Sequence, residues 1–406
     1  MPELSELRAI DAAEVPAYAR AFAAVFGSEP DAHALARVAR ITESDRVLVG
    51  TAADGSIAAT AGAYSFDLSV PAGAPIGCAG ITRVSVRADH RRRGVLRRML
   101  QQLHRQALDR GEPVAALWPS EVPIYGRFGY GPSAACQDLE VSRSSAQLRA
   151  PADPGPVELV DTASARRLLP PLREAVRAQR PGLVSRTVAW WETVLDEDPP
   201  DARDGASPRF HAVLPDRGYA IYRVHQRWTD GAPAGRVEVS ELHALDPESA
   251  AALWALVTDL DLTERIVARR RPLDEPLWHL LEDPGRLRIT GHWGLHLRLL
   301  DVPAVLAARG YAGEDRLVLE VDDELLAHNA GRFALCVEDG RATCRRVDEP
   351  ADLVLDVREL ATVVLGGFRL TALQAAGRVR SGTPGAALRL DRLLFTDLAP
   401  WQDGVF

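Results

Sequence analysis

The chain has 406 residues, a length that suggests roughly two to four domains. Its 56 acidic residues outnumber its 48 basic residues, and the formal net charge of -8 argues against nucleic acid or anionic membranes as partners of the whole molecule. Hydrophobic residues make up 47%, which is enough for buried cores, and the sequence contains no lysine. The first predicted elements are helices near Ala17–Phe26 and Asp31–Arg40, followed by strands near Arg46–Thr51 and Ile57–Phe66.

A short strand, a basic turn and an amphipathic helix come next. On the strand, period-2 geometry predicts that Thr82, Val84 and Val86 share one face. The turn reads Arg-Arg-Arg-Gly over residues 91–94, and Gly111 is the predicted stop of the helix that follows. That helix is predicted from apolar residues that recur at spacings of three and four: Val95, Leu96, Met99, Leu100, Leu103, Ala107 and Leu108.

The chemistry of this turn favours an anion. A glycine at a helix entrance lets backbone N–H groups approach a ligand, and the helix N-terminus adds about half a positive charge. Arginine forks suit a diphosphate because they form paired hydrogen bonds. The alternative is a solvated basic loop of any α/β protein, since the turn lacks the spaced glycines of a dinucleotide-binding fingerprint and the lysine of an ATP-binding P-loop.

A second motif lies shortly after the helix. A strand is predicted at Val114–Trp118, and Ser120 and Glu121 follow its end. Tyr125 then stands on a predicted short helix, four residues before the pair Gly129-Tyr130. A basic glycine turn followed by such a tyrosine is typical of one acetyltransferase superfamily.

The wording of these motifs resembles the Eis (enhanced intracellular survival) N-acetyltransferases, a family of the GNAT superfamily. The resemblance covers the whole chain, and Leu96, which replaces a small residue of the wider superfamily, is shared by the Eis family. The matching segments are Ile81–Val86, His90–Gly94, Ser120–Gly131, Gly218–Val224, Val239–Leu242 and the aromatic C-terminal residue Phe406.

The resemblance implies an α/β (α+β) chain with tandem GNAT-like folds and a sterol carrier protein-like C-terminal domain. The expected domains are a catalytic one over residues 1–150, a second and degenerate one over 151–297, and a third over 298–406. Pro151–Pro156 is the predicted linker, because it is dense in residues that stop regular structure. The C-terminus of the third domain is expected to reach the active site.

The second and third blocks also show predicted elements. In the second block, Asp246 is a predicted N-cap with Pro247 at the first helical position. The strand-to-helix turn there contains neither arginine nor glycine, so this block is predicted to bind no coenzyme A and to be structural. The predicted strands are Phe210–Leu214, Tyr219–His225, Arg236–Leu245, Arg316–Val321, Phe333–Glu338, Arg341–Val347 and Asp352–Val357, and the third block's helices are Glu359–Val364, Thr371–Val379 and Ala386–Phe395.

Four cysteines lie far apart without the spacing of a zinc site, so no metal is expected. Asp339-Gly340 is a turn signal that would let Cys336 and Cys344 face each other across a hairpin, although reduced thiols are favoured. Residues 1–6 show neither a basic nor an apolar leader, and no run approaches the roughly 18 apolar residues of a membrane span. We therefore expect a cytoplasmic protein.

By resemblance, acetyl-CoA is the expected cosubstrate. The backbone N–H groups of the turn would bind its diphosphate, the strand before it would pair with the pantetheine arm, and the end of the next strand would also contact it. The implied binding residues are Val84, Ser85, Val86, Arg91, Arg92, Arg93, Gly94, Val95, Leu96, Arg97, Ser120 and Glu121.

Tyr125 is the candidate general acid. A phenol has a reference pKa of about 10 and a thiol of about 8.5, so a tyrosine stays protonated at neutral pH and can donate to a departing thiolate. The alternative is a buried aromatic residue whose hydroxyl merely finds a hydrogen-bond partner.

The family resemblance assigns the general base to the C-terminal carboxylate, here that of Phe406. The apolar residues Trp401, Val405 and Phe406 favour a docked tail over the fraying that is usual at a terminus. Glu121 and His90 are the alternative bases. Val405 departs from related enzymes, which often carry an acidic residue next to last, and Asp403 is a candidate to compensate.

The implied function is the direct transfer of acetyl from acetyl-CoA to primary amines of a polycationic acceptor. Aminoglycosides are the family's substrate class, with polyamines and protein lysines as alternatives and several acetylations of one acceptor expected. A homohexamer is expected by family analogy. The rival hypotheses are a non-catalytic acyl-CoA or small-molecule binding protein and a lipid carrier that uses the C-terminal block.

Overall fold

The computed structural model describes residues 7–149 and 155–406, so the leader expectation at residues 1–6 and most of the predicted linker lie outside the described residues. The helices are Val15–Val25 (α1), Ala32–Ile41 (α2), Val95–Asp109 (α3), Val122–Gly126 (α4), Thr162–Gln179 (α5), Val188–Leu195 (α6), Pro247–Thr258 (α7), Leu277–Leu280 (α8), Val302–Ala308 (α9), Val357–Val363 (α10), Leu370–Ala375 (α11) and Ala386–Leu393 (α12).

The strands alternate with these helices along the chain. They are Val47–Thr51 (β1), Ile57–Leu68 (β2), Ile76–Val86 (β3), Val114–Leu117 (β4), Gly131–Pro132 (β5), Ala135–Ser142 (β6), Glu158–Val160 (β7), Phe210–Leu214 (β8), Gly218–His225 (β9), Trp228–Thr229 (β10), Ala232–Pro233 (β11), Gly235–Ala244 (β12), Thr263–Arg271 (β13), Arg288–Trp293 (β14), His296–Leu299 (β15), Asp315–Asp322 (β16), Gly331–Glu338 (β17), Arg341–Arg346 (β18), Leu353–Asp356 (β19) and Val379–Ser381 (β20).

The described residues fall into two compact units. The first consists of the residues up to Ala134, together with Leu295–Asp397 and Val405–Phe406. The second consists of the residues from Ala135 to Gly294, together with Leu398–Gly404. The C-terminal tail therefore contributes residues to both units. No helix in the described part of the chain has the length and apolar character that crossing a bilayer requires.

The first unit contains a six-stranded sheet in the order β1-β2-β3-β4-β15-β5. Strand β15 pairs antiparallel with both β4 and β5, although it follows them by more than 150 residues in sequence. This strand was not predicted from the sequence, because its four residues, His-Leu-Arg-Leu, form an alternation too short to distinguish from a loop. A distant segment thus completes the sheet that carries the basic turn.

Helix α3 covers one face of this sheet and confirms the apolar stripe. Val95, Met99, Leu100, Leu103 and Ala107 are buried, and they form one core cluster with residues of β2, β3 and β4. The same cluster includes three aromatic residues from α4 and the turn after it: Tyr125, Phe128 and Tyr130. The second motif therefore packs directly on the sheet.

The predicted alternation on β3 is wrong in part, because the strand contains a β-bulge. Thr82 lies opposite Gly62 and Ser85 lies opposite Thr60, so two residues of β3 face the single residue between those partners. Arg83, in the bulge, has a φ of 45°. The extra residue reverses the alternation of side chains along β3. Thr82 and Ser85 therefore lie on one face of the sheet, and Val84 and Val86 lie on the other face.

The second unit contains a seven-stranded sheet in the order β14-β6-β13-β12-β9-β8-β7. Helix α7 begins as predicted, since the Asp246 side chain accepts a hydrogen bond from the Ser249 N–H at 2.8 Å and Pro247 is its first residue. Its buried Leu253 and Trp254 join a core cluster with strands β6, β9, β12 and β13.

The third block forms a five-stranded sheet in the order β18-β17-β16-β19-β20 within the first unit. The predicted hairpin is present, and its turn residues Asp339 and Gly340 have φ values of 49° and 71°. All four cysteines are free thiols, and register places Cys336 opposite Thr343 and Cys344 opposite Leu335. The two cysteines are therefore not directly paired across the hairpin.

Candidate active site

The entrance to helix α3 is open and lacks a side-chain cap. Gly94 is the N-cap residue, its φ is 72°, and as a glycine it offers no side chain to cap the first turn. A β-carbon built on Gly94 would meet no atom within 4 Å. Because the first four N–H groups of a helix have no intrahelical partner, this entrance presents donors toward open space. It is suited to an oxyanion.

The arginines of the turn are exposed, and two of them brace it. Arg91 donates from Nε to the Val86 carbonyl at 3.0 Å, and Arg93 donates from Nη2 to the Asp89 carbonyl at 2.8 Å. Arg92 has a φ of 61°, so two of three consecutive residues at the helix entrance adopt left-handed backbone. Val95 is buried, Leu96 is half-buried and Arg97 is exposed, as expected for the first turn of a helix packed on one side.

Strands β3 and β4 pair only over their first parts. Parallel pairing runs from Cys78 opposite Val114 to Gly80 opposite Ala116, and β3 then continues to Val86. Beyond Gly80, the edge of β3 that faces away from β2 has no strand partner in the described part of the chain. The backbone of Val84, Ser85 and Val86 lies on this open edge.

The side chains of this open segment are held by β2. Ser85 is buried and its hydroxyl lies 2.8 Å from the Thr60 hydroxyl, which also donates to the Arg83 carbonyl at 2.8 Å. Val84 and Val86 are half-buried against the core cluster. A fixed open edge of this kind can accept an extended ligand as an additional strand.

Tyr125 lies on α4 and is 8% exposed. It shares a core cluster with Ala79 and Ile81 of β3 and Leu117 of β4, and its ring meets that of Tyr130 edge-on at 5.9 Å. Burial, and secondarily the negative charge of Glu121, raise the pKa of Tyr125 to about 12. With this raised pKa, the hydroxyl stays protonated at neutral pH. None of the described residues hydrogen-bonds it, so it is available to a ligand.

The neighbouring aromatic residue has a different environment. The Tyr130 hydroxyl lies 2.9 Å from Nε2 of His104, and both residues are buried. Burial lowers the pKa of His104 to about 3, so the imidazole is neutral and the pair is a closed hydrogen bond. Tyr130 therefore has a structural partner, and Tyr125 remains the open phenol of the two.

The other candidate residues near the motifs differ in accessibility. Ser120 and Glu121 are exposed at the end of β4, and Glu121 is the N-cap residue of α4. His90 has no exposed surface, and its Nδ1 lies 2.9 Å from the Asp89 carboxylate. A substrate amine cannot reach a fully buried ring, so His90 is wrong as an alternative base.

The C-terminal residue docks where the pairing of β3 and β4 ends. The Phe406 ring lies 5.1 Å from the Phe66 ring at a steep angle, and a β-carbon on Gly80 would stand 3.2 Å from Phe406. Gly80 is the last residue of β3 that pairs with β4. Val405 is 57% exposed, so the expectation that it docks with its neighbours is wrong. Phe406 itself is half-buried.

Sequence reasoning missed the residues that receive Phe406. The signal for Gly80 was a glycine inside a strand, which often marks a close approach by other atoms. A β-carbon there would lie 2.4 Å from the Phe66 ring, so only glycine leaves room for the two aromatic rings. Nothing in the sequence around Phe66 singled out its contact with a residue 340 positions later.

Asp403 does not supply the acidic charge that a penultimate acid would give. Both of its carboxylate oxygens accept hydrogen bonds from Arg173, and one also accepts from Arg186.

The second unit lacks an open helix entrance at α7, because the Asp246 carboxylate caps it and binds Arg217 at 2.7 Å. The carboxylate thus occupies the position before the first turn of α7 that an anion would take at an open entrance.

Known proteins match the chain throughout its length. Residues 6–133 and 182–299 match two families that are each described as an acetyltransferase (GNAT) domain, and residues 302–403 match a family described as a sterol carrier protein domain. An uncharacterized N-acetyltransferase of Streptomyces avermitilis is 40% identical over 378 residues, or 89% of this chain and 89% of that protein.

Two further relatives carry the name Eis. The N-acetyltransferase Eis of Mycobacterium tuberculosis is 40% identical over 340 residues, or 82% of this chain and 81% of that protein. The crystal structure of Eis1 from Mycobacterium abscessus matches with a TM-score of 0.87 at 32% identity, covering 99% of this chain and 100% of that one. Both the resemblance and the expected fold class, two GNAT domains followed by a sterol carrier protein-like domain, are confirmed. The chain belongs to the Eis family of GNAT N-acetyltransferases.

Proposed function

We propose that this N-acetyltransferase passes acetyl directly from acetyl-CoA to a primary amine, without a covalent enzyme intermediate. The GNAT fold implies acetyl-CoA as the cosubstrate. The observation that carries the proposal is the convergence of three features in the first unit. These are the uncapped entrance of α3, the open edge of β3 and the C-terminal residue docked where β3 leaves β4.

The diphosphate of acetyl-CoA would bind the entrance of α3. Backbone N–H groups of residues 92–97 would donate to its oxygens, because a helix N-terminus combines unpaired donors with a positive dipole. Arg91 and Arg93 would brace the turn from the side, and Arg92 is exposed and able to form charged hydrogen bonds. Gly94 leaves the approach unobstructed.

The pantetheine arm would lie along the open edge of β3. Its amide groups would pair with the backbone of Val84, Ser85 and Val86, so that the thioester reaches the region where the pairing of β3 and β4 ends. Ser120 and Glu121, which follow the end of β4, would also contact the cofactor. The acetyl carbonyl would then be fixed between Tyr125 and the C-terminus.

The transfer requires one proton to leave and one to arrive. The amine nitrogen attacks the thioester carbon, the C–N bond forms, and the ammonium proton passes to the Phe406 carboxylate. The C–S bond then breaks, and Tyr125 donates its proton to the departing thiolate. A carboxylate is a weak base, so the amine loses its proton most readily when a desolvated pocket has lowered its pKa.

The acceptor class is proposed from the relatives. Two proteins of similar sequence and fold are named Eis, and aminoglycosides are the acceptors that this family resemblance implies, with polyamines or protein lysines as alternatives. An assembly of six chains, a cytoplasmic location and the domain bounds of 1–150, 151–297 and 298–406 remain predictions. The exposed Val405 adds no negative charge beside the terminal carboxylate, so a strongly polycationic acceptor would have to find that charge elsewhere.

Release of free coenzyme A thiol tests the proposal directly. We expect thiol to appear only when acetyl-CoA and an aminoglycoside are both present, and the product to gain the mass of one or more acetyl groups. A variant extended by one glycine after Phe406 should bind acetyl-CoA normally but turn over slowly, because its carboxylate is displaced. Binding without any thiol release across a panel of amines would instead identify a non-catalytic acyl-CoA binding protein.

A further inference from the structure

A buried cluster of charged residues surrounds the C-terminal tail in the second unit. Asp403 accepts hydrogen bonds from Nε and Nη2 of Arg173 at 2.8 and 2.9 Å, and from Nη2 of Arg186 at 2.9 Å. Arg186 also reaches Glu241 at 2.9 Å, and the Tyr219 hydroxyl donates to Glu241 at 2.8 Å. All five side chains are almost fully shielded from solvent.

The charges in this cluster balance. Two guanidinium groups face two carboxylates, and the pKa of the Asp403 carboxyl is held well below its usual range because the attraction of Arg173 and Arg186 overcomes the effect of burial. His243 lies 3.2 Å from Asp403, and burial lowers its pKa, so its ring is neutral at pH 7. A metal ion would have to compete with two arginines for the same oxygens, so the Glu241, His243 and Asp403 atoms do not fit a metal site.

The tail just before Asp403 is also fixed. The Trp401 N–H donates to the Pro181 carbonyl at 2.8 Å, and its indole Nε1 donates to the Arg270 carbonyl at 2.6 Å. The guanidinium of Arg271 lies 4.9 Å from the Trp401 ring, and the Val184 N–H donates to Gln402 at 3.0 Å. Three consecutive residues of the tail, 401–403, are thus buried.

Burying two ion pairs is an expensive way to gain stability, because desolvation of the charges offsets most of their attraction. Such a cluster does, however, specify one geometry, since misplacement leaves a charge buried without its partner. The specified element here is a tail, and Asp403 stands three residues before the terminal carboxylate. Three residues span at most about 10 Å, so fixing Asp403 restricts the volume that the carboxylate can reach.

We propose that this cluster is a tail clamp, in which Asp403 is a positioning residue for the terminal general base. The clamp consists of Arg173, Arg186, Tyr219, Glu241 and Asp403. The proposal rests on the proposed function, because it needs the Phe406 carboxylate to be the base. It also gives the second unit, whose helix α7 has a capped entrance, a role in the reaction: it holds the tail.

The decisive experiment compares Asp403→Asn with the double variant Arg173→Gln/Asp403→Asn. The single variant leaves a buried arginine without its partner, so both its melting temperature and its kcat should fall. The double variant removes the unpaired charge, so its melting temperature should recover while its kcat stays reduced on the order of 100-fold, with the KM for acetyl-CoA unchanged. A double variant that regains wild-type kcat would show a purely structural cluster and overturn the clamp.

Release of Phe406 by carboxypeptidase A gives a readout that does not depend on catalysis. At a temperature well below every melting transition, the wild-type tail should resist digestion, and the double variant should lose Phe406 rapidly. Equal resistance in both proteins would contradict the clamp. Together with the glycine-extended chain, this digestion separates the clamp hypothesis from the hypothesis that the terminal carboxylate is the base. Full activity of the glycine-extended chain would remove the terminal base, whereas rapid release of Phe406 from the double variant would still establish the clamp.

Should the charge variants fail to fold, Gly182→Ala tests the same claim from the other side of the tail. Gly182 has a φ of 92°, and a β-carbon on it would stand 2.9 Å from the Trp401 carbonyl oxygen. Gly205→Ala is the matched control, because its φ is 76° and its β-carbon would meet nothing within 4 Å. We expect Gly182→Ala alone to lower kcat and expose Phe406. Identical behaviour of the two variants would refute the clamp.

Discussion

At the scale of single residues, Tyr125 and Tyr130 show how similar side chains acquire different roles. Their rings meet edge-on at 5.9 Å, and both are buried. The Tyr130 hydroxyl has a buried imidazole as its partner, whereas no described residue hydrogen-bonds the Tyr125 hydroxyl. The sequence pointed to Tyr125 through its spacing from Gly129-Tyr130. Only the packed structure shows which phenol remains open.

We predict that Tyr125→Phe lowers kcat on the order of 100-fold or more, with little change in the KM for acetyl-CoA. The substitution removes a proton donor and preserves the shape of the ring. Because the pKa of Tyr125 is about 12, the donor stays protonated through neutral and mildly alkaline pH. The wild-type kcat should therefore show no alkaline decline between about pH 7 and pH 10 that is due to this residue.

Initial-rate measurements across this pH range, on both proteins, check the prediction. Tyr130→Phe is the control. It removes a hydroxyl that is hydrogen-bonded to His104, so it should lower the stability of the protein and change the pH dependence of kcat little. Wild-type kcat in Tyr125→Phe would exclude tyrosine as the acid.

Gly80 offers a second test at this scale. We predict that Gly80→Ala destabilises the protein by about 1–3 kcal/mol and lowers kcat, because the new methyl overpacks Phe66 and displaces Phe406. Gly77→Ala, on the same strand, is the control, since its β-carbon would come no closer than 3.4 Å to Glu112. Thermal unfolding and steady-state kinetics measure both effects. If Gly80→Ala is destabilised but keeps the wild-type kcat, the packing of Phe406 against this strand is not required for catalysis.

At the scale of elements, the entrances of α3 and α7 differ in their chemistry. Helix α3 begins at a glycine with open space before it, and α7 begins at an aspartate that caps its own first turn. Both differences can be read from the sequence, because a cap is a local interaction between residues a few positions apart. The β-bulge in β3 could not be read in this way, since it depends on register against β2.

We predict that Gly94→Ala raises the KM for acetyl-CoA. The φ of 72° makes any side chain there unfavourable by about 1 kcal/mol, and the new methyl would occupy the space before the helix entrance. Gly111→Ala carries the same backbone cost at the other end of α3, because its φ is 75° and its β-carbon also meets nothing within 4 Å. The two variants should therefore have similar stability. Calorimetric titration with coenzyme A should show weaker binding by Gly94→Ala than by Gly111→Ala. Equal affinities would argue against a diphosphate site at Gly94.

At the scale of the whole molecule, the first unit is discontinuous in sequence. The N–H groups of Ser133 and Ala134 both donate to the Leu295 carbonyl, at 2.8 and 3.1 Å, so the chain leaves and re-enters this unit at one place. Strand β15 then lies between β4 and β5, and its buried Arg298 binds Asp323 of the third block at 2.7 Å. The six-stranded sheet of the first unit therefore needs residues from beyond position 295.

We predict that a fragment ending at Ala134 does not fold, because it lacks the strand between β4 and β5. A chain in which a short Gly-Ser linker replaces residues 135–294 should retain the first sheet and bind coenzyme A, but it should turn over poorly because the tail clamp is missing. Circular dichroism, calorimetric titration and thiol release measure these three properties. Wild-type turnover in the linker variant would contradict the proposed role of the clamp.

The sequence by itself determined the helix entrance at Gly94, the α3 stripe, the cap at Asp246, the hairpin at Asp339-Gly340 and the family. Each of these depends on neighbours within a few residues or on a motif that is continuous along the chain. The tertiary structure alone decided the position of β15, the bulge at Arg83, the contact of Phe406 with Phe66 and the partners of Asp403. These join residues separated by tens to hundreds of positions, and only packing, register and the burial of charge select such pairs.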